Sequence, residues 1–93
     1  MQTYLIFHRG AWESEAEVDD AFAFSSRVED EEMRDQLRGI RYYVIEEEDG
    51  TLGAVGVYQA ADEDALLEHA QKAELPADEV VPVIDTVLIR DDP

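Results

Sequence analysis

From Leu52 to Ile89 the chain reads as strand, capped helix, short connector and strand, one complete crossover unit, and few folds accommodate such a unit in so short a protein. Leu52 to Gln59 is a strand in which Gly53 and Gly56 point to a bulge or a close backbone approach. Ala61-Asp62 caps a helix whose buried side is Leu66, Leu67, Ala70 and Ala73. Leu75-Pro76-Ala77-Asp78 is the connector, and Val80 to Ile89 forms the last strand. Pro82 inside that strand lacks an amide donor, so the strand belongs at a sheet edge.

The first half repeats the pattern. Thr3 to His8 is a β-branched and aromatic strand stopped by Arg9-Gly10. Ser14 with Glu17 forms a capping box that opens a helix with the stripe Val18, Ala21, Phe22, Ser25 and Val28. This helix runs to around Asp30, or on to Leu37. In the longer case Glu29 and Glu32 extend the inward stripe. Ile40 to Glu47 is a strand, joined to the next by a hairpin turn at Glu48-Asp49-Gly50. The order β-α-β-β-α-β over residues 1–93 is a single α+β domain of the ferredoxin-like pattern. It predicts a four-stranded antiparallel sheet in the order 4-1-3-2 with two helices on one face.

Both faces of the strands are apolar. Leu5 and Phe7 alternate with Tyr4 and Ile6, and Val81, Val83 and Val87 with Val80, Ile84 and Leu88. Two helices cover one face of such a sheet. A second copy packed sheet on sheet is the simplest cover for the other, so a homodimer is expected.

Charge narrows the partners. The chain carries 24 Asp and Glu against 7 Lys and Arg, a net charge of -17, and Lys72 is the single lysine. Nucleic acid and anionic membranes are repelled by such a surface, whereas cations and basic proteins are drawn to it. An acidic, lysine-poor surface of this kind is also that of halophilic proteins, where salt near 1 M shortens screening to ~3 Å. With no Cys, disulfides, thiolate metal sites and thiol catalysis are excluded. No signal-peptide pattern opens the chain and no apolar run approaches the ~18 residues of a membrane span, so a cytoplasmic protein is expected.

The topology brings three candidate ligands toward one end of the sheet. His8 ends the first strand, Glu79 starts the fourth, and His69 lies one turn before the second helix ends. Imidazole with carboxylate suits nickel, zinc or another first-row divalent metal, which makes His8, His69 and Glu79 a candidate metal set. The plain structural alternative is a polar residue at a strand end and another on the flank of a helix stripe, since His69 sits about 60° from Leu66 on a helical wheel. The runs Glu29-Asp30-Glu31-Glu32 and Glu46-Glu47-Glu48-Asp49 read as solvated surface. Walker-type, dinucleotide-binding and nucleophile-elbow motifs are absent.

Several pieces resemble a family of small bacterial and archaeal ferredoxin-like proteins, long described as a domain of unknown function, that includes a nickel-binding member. They are Tyr4-Leu5-Ile6, Tyr43-Val44, Val57-Tyr58-Gln59-Ala60 with Asp62-Glu63, Glu68-His69-Ala70 and, above all, Leu75-Pro76-Ala77-Asp78-Glu79-Val80. His8-Arg9-Gly10 is similar to the end of the first strand in the nickel-binding member. The resemblance implies a dimeric ferredoxin-like fold and nickel binding, without an established catalysis. Many members have Cys where this chain has Gly56, and Trp near Gly39.

Three function classes follow. The first is a non-enzymatic, cytoplasmic, homodimeric protein binding a divalent metal such as nickel. The second is an enzyme or small-molecule binder of the dimeric α+β-barrel kind, with His8 or His69 as base and Trp12, Tyr42, Tyr43 or Tyr58 lining a cavity between sheet and partner. The third is an interaction module whose acidic face docks a basic protein.

Overall fold

The alternating runs and capped helices form, in chain order, β1 (Gln2–Trp12), α1 (Glu15–Glu32), β2 (Leu37–Glu46), β3 (Leu52–Ala60), α2 (Glu63–Lys72) and β4 (Glu79–Pro82) in the computed structural model, which describes residues 1–92. The strands make one antiparallel sheet in the order β2-β3-β1-β4, which is the predicted 4-1-3-2. Both helices start where the sequence signals. The Ser14 hydroxyl accepts the Glu17 amide at 3.3 Å while the Glu17 carboxylate reaches back to the Glu13 amide, and the Asp62 carboxylate accepts the Ala65 amide at 2.9 Å.

Strand alternation separates the two faces of the sheet. Tyr4, Ile6 and His8 of β1, with Ala54, Tyr58 and Ala60 of β3, bury against Val18, Phe22, Ser25 and Val28 of α1 and Ala65, Leu66, His69 and Ala70 of α2. Leu5, Phe7, Val57, Val81 and Val83 stand on the other face, half-buried.

The boundaries depart from the sequence reading in three places, in β1, β2 and β4. β1 does not stop at Arg9-Gly10 but passes through them as a bulge. Gly10 takes φ +52, the register slips between His8 and Trp12, and Trp12 still pairs with Leu52. α1 takes the shorter of its two expected ends, at Glu32, because Met33 and Leu37 are both drawn into the core, the turn between them being closed by the Met33 carbonyl accepting the Gln36 and Leu37 amides. β2 therefore begins at Leu37 rather than Ile40, with an irregularity between Gly39 and Arg41. Finally, β4 covers only Glu79–Pro82, not Val80 to Ile89. Its single neighbour is β1, with Pro82 opposite Tyr4 and the Val83 amide on the Thr3 carbonyl as the last ladder contacts. The rest of the tail turns toward β2, where the Arg41 guanidinium donates to Asp92.

Tyr58 accounts for two glycines. Its ring lies where side chains at positions 39 and 56 would project: a Cβ on Gly39 would meet Tyr58 Cε2 at 3.3 Å, and one on Gly56 would meet Tyr58 Cε1 at 2.9 Å and Ile6 Cγ2 at 3.1 Å. The substitution Gly56→Ala should therefore displace the Tyr58 ring and lower stability by about 1–3 kcal/mol, in spite of the better strand propensity of alanine. Urea unfolding at constant high salt checks this. A neutral result would mean that the ring is not held against the β3 backbone.

Candidate functional site

His8 follows the β1 alternation onto the helix side, and there it is 1% exposed. Its Nδ1 lies 2.5 Å from the Pro76 carbonyl, which only accepts, so Nδ1 carries the proton and Nε2 a lone pair. That Nε2 is buried and has no partner among the described residues. Trp12 and Phe22 make T-shaped contacts with the imidazole at centroid distances of 6.3 and 5.8 Å. Burial pushes the His8 pKa below its ordinary 6.5; the Pro76 hydrogen bond and the Asp78 carboxylate pull it up less strongly, and His69 adds to the lowering.

His69 does not lean to water. In the last turn of α2 it points into the core, where Nε2 lies 3.1 Å from the Ser25 backbone carbonyl and 3.4 Å from Ser25 Oγ. A carbonyl fixes the proton on this nitrogen too, so His69 Nε2 is a donor and has no lone pair for a metal. The Tyr58 hydroxyl meets the same Ser25 Oγ at 3.5 Å, and burial raises the phenol pKa. Glu79 stands opposite Phe7 in the β1–β4 ladder, so its side chain is exposed on the face opposite His8.

The three predicted ligands are thus not gathered. The topology does set the end of β1 beside the start of β4, with the Asp78 amide on the Phe7 carbonyl, but the register puts Glu79 one residue out of phase with His8. Among the described residues no group of three or more His, Cys, Asp or Glu lies close enough to hold a metal ion. Tested against nickel, His8 fits as one donor: an imidazole that donates Nδ1–H to a backbone carbonyl and leaves Nε2 free is oriented as metal-bound histidines are. Glu79 lies on the other face, and the His69 Nε2 is taken by Ser25, which leaves only its Nδ1 with a lone pair.

The proposed aromatic lining divides as well. Tyr43 faces the open side, where Arg41 donates to its hydroxyl, whereas Tyr42 stacks on Phe22 at 3.7 Å on the helix side and Trp12 and Tyr58 are core. Two acids that read as solvated surface or connector have structural work at the β1 bulge. The Glu47 carboxylate accepts the Gly10 amide at 2.9 Å and an Arg9 guanidinium N–H at 3.2 Å, and Asp78 accepts the Arg9 amide at 2.7 Å. The Arg9-Gly10 pair, with φ > 0 available at glycine, was the signal for amides in need of acceptors. Ser25, at a stripe position and small enough to receive both Tyr58 and His69, left no comparable trace.

A family model described as nickel responsive protein, SCO4226-like, matches residues 4–83. Among solved structures, the crystal structure of SCO4226 from Streptomyces coelicolor A3(2) is similar with a TM-score of 0.74, covering 91% of this chain and 99% of that one at 14% sequence identity. At that identity the likeness concerns the fold. No curated protein matches the chain. No helix among the described residues is long and apolar enough to cross a membrane.

The His8 environment gives a pH dependence with a definite sign. Because the folded pKa lies below 6.5, the unfolded chain takes up a proton that the folded state refuses once the pH drops under about 6.5. The stability tied to neutral His8 is whole above that pH and is lost as the pH falls toward the folded value, by at most about 1.4 kcal/mol per pH unit for one proton. Wild type should lose more stability than His8→Phe between pH 7 and pH 5 in urea unfolding, a comparison that cancels most of the common carboxylate titration. Equal losses would place the His8 pKa at its ordinary value.

Proposed function

The chain belongs to the SCO4226-like family of nickel responsive proteins, and on that premise we propose that it is a small, non-catalytic homodimer that binds a divalent metal such as nickel, with His8 as the donor each protomer supplies. The observation that carries this reading is the free Nε2 of His8, a buried nitrogen lone pair with its tautomer fixed by Pro76. One nitrogen is not a complete site. The remaining ligands come from water, since the face that takes a second copy lies across the sheet from His8, and because His8 is enclosed by Trp12 and Phe22, an ion reaches it only when that cage or the Pro76 connector opens. Bound nickel would supply a fixed positive charge and a link between folding and metal supply.

The open face of the sheet supports the dimer. Beside the half-buried Leu5, Phe7, Val57 and Val81, the tail carries Ile84, Val87, Leu88 and Ile89, exposed by between 71% at Leu88 and 96% at Ile84. Leu88 borders Leu5, Val57 and Val83 on that face; apolar exposure of this extent is unusual on a monomer, and a two-fold copy of itself is a complementary cover.

Calorimetric titration of chelator-stripped protein at high salt with excess magnesium tests the metal. Nickel should bind saturably near one ion per subunit, since a nitrogen donor favours it over magnesium, and binding should vanish in His8→Ala and in the volume-conserving His8→Phe. Absence of binding to the folded wild type would refute the reading. Sedimentation at micromolar concentration tests the dimer separately: wild type should sediment as a dimer and Leu88→Asp as a monomer, and a wild-type monomer would overturn it.

A further inference from the structure

After Val83 the chain leaves β4 and joins no further strand. The family match also ends at residue 83, so residues 84–92 lie past the matched part. They pass from the β4 edge of the sheet to the β2 edge across its open face, where Leu88 borders Leu5 and Val57, and Asp92 meets Arg41. Three strand spacings separate those edges, about 14 Å. Nine extended residues reach about 30 Å. The tail is therefore slack, and a trough of about 430 Å³ opens between it and the sheet, with Leu5, Tyr43 and Val57 on the sheet side.

Neither side of this arrangement is satisfied within one chain. Ile84, Val87, Leu88 and Ile89 are exposed, while the trough that matches such side chains stands open. Among the described residues a single polar contact ties residues 84–92 to the rest of the chain, the Arg41 guanidinium on the Asp92 carboxylate. These side chains are 46% and 49% exposed, so the tie is weak and screened by salt. The other hydrogen bond of the tail, from the Thr86 amide to Asp85, is internal to it.

We propose that in the homodimer the two tails are exchanged: each leaves its own sheet, lies in the trough of the partner and pairs its Asp92 with the partner's Arg41. This rests on the dimer reading above and names the segment of the second copy that occupies the open face. Exchange costs little, because the ion pair broken within one chain is remade identically across the two-fold axis. It gains burial, because Leu88 and its apolar neighbours come to lie between two sheets instead of in water. The reach suffices, since packed sheets stand about 10 Å apart and the slack in the tail exceeds that. Charge favours this occupant over a foreign one: Arg41 is a cation on a chain of net charge -17, and an apolar segment ending in Asp92 is what it already holds.

Charge reversal distinguishes exchange from a tail that stays on its own sheet. Arg41→Asp and Asp92→Arg each replace the attraction by a repulsion, at two places in an exchanged dimer. Each variant alone should therefore dimerise about tenfold more weakly than wild type in sedimentation equilibrium at one fixed salt concentration. An equimolar mixture of the two should recover wild-type affinity as a heterodimer, because each tail then meets a partner of opposite charge. A tail held in its own chain gives no recovery, since every protomer in the mixture still carries like charges at both positions. No recovery on mixing, or single variants that dimerise as tightly as wild type, would overturn the exchange and leave the dimer standing. A wild-type monomer would overturn both.

Discussion

The helix side of the sheet is organised around one buried tyrosine. Tyr58 lies in the middle of the layer, with Gly39 and Gly56 making room for its ring and its hydroxyl directed to Ser25. Ser25 is also where His69 is anchored, through both its carbonyl and its hydroxyl. One small polar residue thus joins α1, α2 and β3. A buried phenol or imidazole without partners costs on the order of 1–3 kcal/mol, so the three groups stand or fall together. The irregularity of β2 at Ile40 belongs to the same arrangement, since it brings the Gly39 amide to the Glu29 carboxylate beside the tyrosine ring.

A second polar arrangement holds the other end. The connector from Leu75 to Asp78 gives its Pro76 carbonyl to His8 and its Asp78 carboxylate to the Arg9 amide, while the Asp78 amide donates to Phe7. Three consecutive β1 residues are therefore read by one short loop. This explains why a histidine can be fully enclosed beside Trp12 and Phe22: one nitrogen is satisfied by the connector, and the desolvation falls on the other. Neutrality of the imidazole follows from that burial, and neutrality is also the form a metal requires.

The architecture was legible because it rests on local signals that agree with one another. Ser14 and Asp62 cap helices, Asp49-Gly50 turns a hairpin, and alternation gives the faces of β1 and β3. What was not legible depends on pairing partners. Arg9-Gly10 looks like a stop, yet it becomes a bulge because Glu47 and Asp78 accept its amides across 37 to 69 residues of chain. Val83 to Ile89 has the composition of a strand, but the ladder with β1 ends at Pro82, opposite Tyr4. The candidate site suffered from the same gap: topology set His8 and Glu79 side by side, and a one-residue phase put them on opposite faces. His69 was placed on a flank by its helical angle, whereas Ser25, small and facing it, drew the ring inward.

The surface charge of -17 bears on function in a limited way. A diffuse negative field concentrates every cation near the protein without choosing among them, and at ~1 M salt it reaches only ~3 Å. Selection must then come from groups in direct contact with the ion. A nitrogen lone pair distinguishes nickel from magnesium, which the carboxylates around it cannot do. That nitrogen lies on the helix side, against Phe22, where the acids of the exposed surface give way to neutral side chains. An acidic exterior of this kind can gather cations but cannot tell them apart; only a buried donor such as His8 Nε2 could.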